Sequence, residues 1–177
     1  MGLVLAYLPH NCAKHGPPGY KPSYKGARYL DRSQIEFDDG DTFILRGRPI
    51  RFLGIDTPET VDSSVGIFID QPYGREAAES TKAWILRAEV AEYLPDGKDV
   101  YDRRLAHILV DGDLLALKLI QNGLAYETIT RYGDGGYPDL AKQILEVSLK
   151  SPKPKFENPY LWRKKHQKKR ARQGKRR

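Results

Sequence analysis

The sequence predicts an α+β fold, mainly β, in which a small closed barrel of five strands carries three helices. Three observations lead there. Short apolar or alternating runs start at Gln34 and recur as far as Val110, three segments place apolar residues at helical spacing, and no internal repeat interrupts the series. The 177 residues, 40% of them hydrophobic, suffice for one domain with a core plus extensions. Residues 1–33 read as an irregular N-terminal arm, 34–162 as the folded domain and 163–177 as a basic, mobile tail.

In the arm, the apolar run Gly2–Leu8 lacks a basic flank and is short for a signal core, so it reads as structural. His10, Cys12 and His15 have no fourth soft ligand nearby and fall short of a tetrahedral zinc set. A lone Cys12 excludes an intramolecular disulfide. No stretch approaches the ~20 apolar residues that cross a bilayer. A cytoplasmic protein is the expectation as written, with secretion if a signal was removed before this numbering.

Gln34 to Phe37, Thr42 to Leu45 and Ile50 to Ile55 are the first strands, with Gly47 as a turn between the last two, in an antiparallel meander. Tyr73 to Val90 follows as an amphipathic helix, with Ala77, Trp84, Ile85 and Ala88 on one face and Glu76 and Arg87 placed to suit the helix dipole. Val90 to Leu94 and Arg104 to Val110 complete the strands, separated by a turn at Pro95-Asp96-Gly97. Asp113 to Asn122 is a second helix closed by Gly123, and Pro138 to Lys150 a third, stopped by Pro152 and Pro154. Phe156 to Trp162 is expected to fold back on the core.

The net charge of +7 is unevenly spread. Residues 163–177 hold ten of the 30 lysines and arginines and no acid, leaving 20 cations against 23 acids before them. Such a segment attracts polyanions over about a Debye length, ~8 Å at physiological salt, and lacks the apolar face a membrane surface would need.

Asp39-Gly40-Asp41, leading into a strand, sets two carboxylates at alternate positions of an extended chain, where they share one face. A hard oxygen-seeking cation relieves such a pair, although DGD also makes an ordinary turn. Asp56-Thr57-Pro58-Glu59 adds two more carboxylates on a turn stiffened by Pro58, which a capping role for Asp56 or Thr57 would also explain. Arg51, flanked by apolar strand residues, needs an anionic partner; an acid or a phosphate would serve. Carboxylates around a cation with arginines beside them are what phosphoryl chemistry requires. His107 reads as a barrel-wall side chain.

Taken in order, DGDT at Asp39–Thr42, RFLGIDTPET at Arg51–Thr60, YGREA at Tyr73–Ala77, DVYDRRLAHI at Asp99–Ile108 and QNGLA at Gln121–Ala125 resemble the staphylococcal nuclease (thermonuclease) superfamily over roughly residues 34 to 150. The resemblance implies an OB-fold barrel with three helices and a calcium cofactor, with magnesium second. It implies Asp41 and Asp56 as metal ligands, joined by the Thr57 carbonyl, with Asp39 an acid just behind them. Glu59 would activate the attacking water, Arg51 and Arg103 would contact the scissile phosphate, and Tyr101 and Asp99 would belong to substrate binding. The activity implied is a calcium-dependent nuclease, an endonuclease on DNA with RNA as a second substrate, releasing the 5′-oxygen and acting as a monomer without a membrane partner. The competing reading is a noncatalytic OB-type module that binds nucleic acid or a protein partner, which Val100, Asp102 and the basic tail favour.

Overall fold

The computed structural model describes residues 16–174, with side chains through residue 166. Gly2–Leu8, His10, Cys12, His15 and residues 175–177 lie outside the described residues. Among the described residues nine strands and five α-helices build an OB-like α+β fold around a curled mixed sheet. Strands exceed the expected five because four of the nine, β1, β5, β8 and β9, are two-residue pairings, too short for periodicity to reveal.

After β1 (Arg28–Tyr29) and a 3-10 turn at Arg32–Gln34, β2 (Ile35–Phe37), β3 (Thr42–Leu45) and β4 (Arg48–Phe52) form the expected antiparallel meander. Arg46 and Gly47 make the β3–β4 turn, both with positive φ (53° and 72°), the conformation that matches strand twist in a two-residue hairpin. The run Ile50 to Ile55 is not one strand: Gly54, at φ 81°, breaks it, and β5 (Ile55–Asp56) leaves to pair with β9 (Tyr126–Glu127) in a separate ribbon. Asp56 is thereby lifted off the sheet, next to the loop that follows.

The largest correction concerns the turn expected at Pro95-Asp96-Gly97. Those residues lie inside β6 (Ala91–Lys98), and the chain reverses at residues 99–103 before β7 (Arg104–Val110). Pro95 is tolerated because its partner Ala106 turns its carbonyl to Leu53, so the pair needs no N–H from residue 95; the neighbouring strand β1 has ended by Tyr93. A second difference is that β7 pairs with β4 in parallel, Arg51 opposite Leu105. The sheet order is β1-β6-β7-β4-β3-β2, with β8 (Asp113–Leu114) on β7.

The helix α1 (Gly74–Arg87) buries Gly74, Ala77, Thr81 and Ile85 on one stripe, small at its N-terminal end, so that loops can approach closely. The helix expected over Asp113–Asn122 starts two residues later as α2 (Leu115–Gln121), because Asp113 and Leu114 are used in β8. Gly123, at φ 67°, closes it as expected. A short α3 (Ile129–Tyr132) precedes α4 (Pro138–Lys150), which has the predicted bounds. The core joins Phe43, Ile50, Phe52, Leu94, Ile108, Leu115, Leu119 and Ile144, with Phe43 and Phe52 edge to face at 5.4 Å. Burying each such side chain contributes roughly 1.5–3 kcal/mol.

Both ends of the described chain are more ordered than expected. In the arm, buried Glu92 of β6 accepts from the Tyr20 hydroxyl (2.7 Å), the Ser23 N–H (2.9 Å) and the Ser23 hydroxyl. At the other end, α5 (Pro159–Gly174) runs straight through the boundary expected at residue 163. Phe156 and Trp162 are buried, as the expected fold-back requires, and the Trp162 ring stacks on His166 at 3.7 Å.

Candidate active site

Three segments distant in sequence converge where β2–β3, β5 and the start of α5 meet. In the loop Asp39-Gly40-Asp41, the Asp39 carboxylate accepts the Asp41 N–H at 2.9 Å and fixes the turn. Asp39 thus supports Asp41 from behind. Gly40 lies so close to its neighbours that a β-carbon there would stand 2.7 Å from the Thr57 hydroxyl and 2.9 Å from the Ala77 β-carbon. The Gly40 carbonyl accepts from the Thr81 hydroxyl at 2.6 Å, tying the loop to α1.

Asp41 is fully buried, and one of its oxygens accepts the Thr57 N–H at 2.7 Å. Its other oxygen pairs with Arg51 Nη1. The second nitrogen of that guanidinium, Nη2, reaches Asp56 Oδ1 at 2.5 Å and the Ile55 carbonyl at 3.3 Å. Asp41 and Asp56 are therefore gathered on one guanidinium, and of the two anionic partners expected for Arg51 the structure shows the acids. Thr57 is buried, with its hydroxyl oxygen left without a hydrogen-bond partner.

Glu59 is held by its backbone. Its N–H donates to the Gln71 side-chain oxygen at 3.2 Å, and its carbonyl accepts the Gln71 N–H at 2.9 Å. The amide nitrogen of buried Gln71 then donates to the Glu157 carbonyl at 2.5 Å, which links this loop to the segment leading into α5.

The residue that sequence reasoning missed is Arg163, which it had assigned to the solvated tail. Its Nη1 and Nη2 fork Asp56 at 3.0 and 2.8 Å, and Nη1 also pairs with Glu59. The signal for it was Trp162, already expected on the core, which commits the next residue to the protein surface instead of open solvent. Gln71 was missed as well, and nothing in its sequence surroundings marks it.

Electrostatics follow from this arrangement. Burial pushes the Asp56 carboxyl up, but Arg51 and Arg163 outweigh it and hold it below the usual range. Burial also raises Glu59, and there Arg163 offsets only part of the effect. Asp39 is raised by burial against the charge of Arg51 and a backbone hydrogen bond. For Arg163 burial opposes the charge, yet its bonds to Asp56 and Glu59 prevail and raise its pKa.

Arg103, Asp99 and Tyr101 sit apart, on the turn between β6 and β7. Asp99 accepts the Arg103 N–H at 3.0 Å and Nε at 2.8 Å, so the pairing partner of this guanidinium is Asp99. Burial raises the carboxyls of Asp38 and Asp39, and the Arg103 charge opposes part of that rise, which places it on the same side of the molecule. Tyr101 is 78% exposed, with the Arg103 guanidinium 5.7 Å from its ring centre.

The chemistry of the buried groups suits a hard divalent cation: two carboxylates and a hydroxyl oxygen with no partner, all oxygen. Among the described residues no three His, Cys, Asp or Glu side chains already stand in metal-holding geometry. The Arg51 and Arg163 guanidinium groups occupy the carboxylate oxygens instead.

The profile of the family described as Staphylococcal nuclease homologue matches residues 49–151. The thermonuclease of Staphylococcus intermedius is 36% identical over 106 residues, covering 57% of this chain and 60% of the relative. That of Staphylococcus hyicus is 38% identical over 96 residues, with 51% and 55% covered. Endonuclease YncB of Bacillus subtilis (strain 168) is 35% identical over 107 residues, with 54% and 49% covered. The chain thus spans 49–60% of the length of these relatives.

Proposed function

The chain belongs to the staphylococcal nuclease homologue family, and on that premise we propose that it is a calcium-dependent nuclease hydrolysing phosphodiester bonds of DNA, with RNA as a second substrate. The observation that carries this reading is the convergence of Asp41, Asp56 and Glu59 with two guanidinium groups at one partly open place. The names of the relatives, two thermonucleases and an endonuclease, support it. Among the described residues no helix is long and apolar enough to cross a membrane.

In this reading Asp41, Asp56 and the Thr57 carbonyl hold the cation, which supplies polarisation of a non-bridging phosphate oxygen when bound. Glu59 positions a water in line with the P–O5′ bond and accepts its proton. Burial makes that carboxylate a stronger base than a free one. The water oxygen forms a bond to phosphorus, the P–O5′ bond breaks, and the 5′-oxygen leaves with a proton from solvent. Arg51 and Arg103 neutralise charge on the equatorial oxygens, and Asp99 orients Arg103 through two hydrogen bonds. Tyr101, exposed at the rim, is placed to contact the nucleotide.

The test is digestion of plasmid and single-stranded DNA with calcium, magnesium or EDTA, comparing wild type with Glu59→Gln. Cleavage with calcium, its loss in EDTA and a fall of about 10² to 10⁴ in the variant are expected. DNA retained but uncut in every arm defeats the nuclease and leaves the noncatalytic binding module.

A further inference from the structure

We propose that Arg163 is a partner-switching phosphate ligand: it forks Asp56 and Glu59 while the site holds no cation, and turns onto the scissile phosphodiester once a divalent cation has taken Asp56. This rests on the nuclease reading.

The geometry sets up a competition. Arg163 contacts both oxygens of Asp56, one of them shared with Arg51, so a cation ligated by Asp56 has to displace at least one guanidinium nitrogen. Of the two arginines, Arg163 is the more accessible, its side chain 25% exposed against 14% for Arg51. Its backbone is not free to leave, because the preceding Trp162 is buried and stacked. The side chain therefore swings from a fixed point at the mouth of the site.

Charge tells where it goes. Asp41, Asp56 and Glu59 against Arg51 and Arg163 leave this group of five side chains one positive charge short of neutrality. A divalent cation turns that deficit into one positive charge and frees a half-buried guanidinium, which needs an anion. A phosphodiester brings one negative charge and two oxygens that match the fork of an arginine. Glu59, the second partner of Arg163, keeps the guanidinium beside the place where the attacking water would stand. The basic character continues outward around Tyr160 of the same helix: the guanidinium of Arg131, from α3, lies 3.7 Å from the centre of the Tyr160 ring and Lys164 Nζ lies 4.4 Å from it. Arg103 is not equivalent, since Asp99 holds it on another turn.

The experiment uses the full chain with Arg163→Gln and Arg163→Lys, folding verified by circular dichroism. Calorimetric titration with calcium chloride alone should show Arg163→Gln binding the cation on the order of tenfold more tightly, because the competing fork is gone. With calcium present, binding of a phosphorothioate single-stranded oligonucleotide should weaken, and its log-affinity against log-salt slope should become shallower by about 0.7. Arg163→Lys keeps the charge and loses the fork, so it should restore the salt slope while still binding calcium more tightly than wild type. If Arg163→Gln does not fold, these two results in Arg163→Lys carry the test.

Unchanged calcium affinity in the folded variants overturns the switch and leaves the nuclease reading intact. Tighter calcium with an unchanged salt slope in Arg163→Gln also overturns it, reducing Arg163 to a competitor of the cation. Calcium binding that is absent from wild type, or unaltered by Asp41→Asn, overturns both the switch and the cation site itself.

Discussion

A β-carbon at residue 74 would stand 2.2 Å from the Glu59 carbonyl oxygen, so the first residue of α1 has to be glycine for the loop bearing Glu59 to lie where it does. Backbone, not a flexible side chain, is what would have to move. Gly74→Ala is expected to destabilise by about 1–3 kcal/mol, as overpacking does. It should also disturb the Glu59 loop, whose carbonyl already accepts from Gln71. Urea unfolding gives the stability, and DNA hydrolysis should fall by more than the unfolded fraction accounts for.

Arg51 pairs with two buried acids, and its removal leaves Asp41 without a counter-charge while Asp56 keeps Arg163. Arg51→Ala is expected to lower stability by about 3–5 kcal/mol without added metal, the usual consequence of removing one partner of a buried pair. Saturating calcium should recover part of that loss, and recover more than it adds to wild type. Thermal melts of both proteins with and without calcium decide it, and equal shifts would count against a cation at Asp41 and Asp56.

His107 lies in β7, fully buried, 5.4 Å from the Tyr137 ring and with neither ring nitrogen bonded. Burial lowers its pKa to about 4, from an ordinary 6.5. The unfolded chain therefore takes a proton before the folded one does. This contribution to stability is intact above pH 6.5, is lost as pH falls from 6.5 to 4, and changes no further below that. The loss amounts to about 3 kcal/mol. Denaturant unfolding across that range should show it, and His107→Leu should flatten the slope.

Glu92 gathers three hydrogen bonds from Tyr20 and Ser23 and is the main polar tie between the arm and β6. Glu92→Ala leaves those donors unsatisfied and is expected to cost about 1–3 kcal/mol. Amide exchange should quicken across residues 20–27 while β7 stays protected. Uniform quickening would mean that the arm and the sheet unfold as one.

Most of the candidate site could be read in the sequence because its residues come in tight clusters: DGD before a strand and DTPE after one put charge where burial leaves it few partners. The bounds of α4 were legible for the same local reason, a proline at its start and two beyond its end. What escaped depends on the third dimension. Pro95-Asp96-Gly97 carries strong turn chemistry, but its neighbours demand no N–H from Pro95, so pairing with β7 prevails. Arg163 sits in a run whose composition says solvent, and only the burial of Trp162 beside it turns it inward. Arg103 was expected with Arg51 on the scissile phosphate, and the structure pairs it with Asp99 on the turn before β7, where the next residue, Arg104, lies opposite Ile50.

The bond between Asp56 and Arg163 spans 107 positions of the chain. During synthesis Asp41, Asp56 and Glu59 are made long before Arg163, and the amide of Gln71 waits equally for Glu157. Contacts this far apart close late and slowly, since a long loop has to be ordered first. The nascent protein therefore holds its barrel strands before it holds the finished Asp56–Glu59–Arg163 cluster, which is completed only when the segment carrying Trp162 and Arg163 docks.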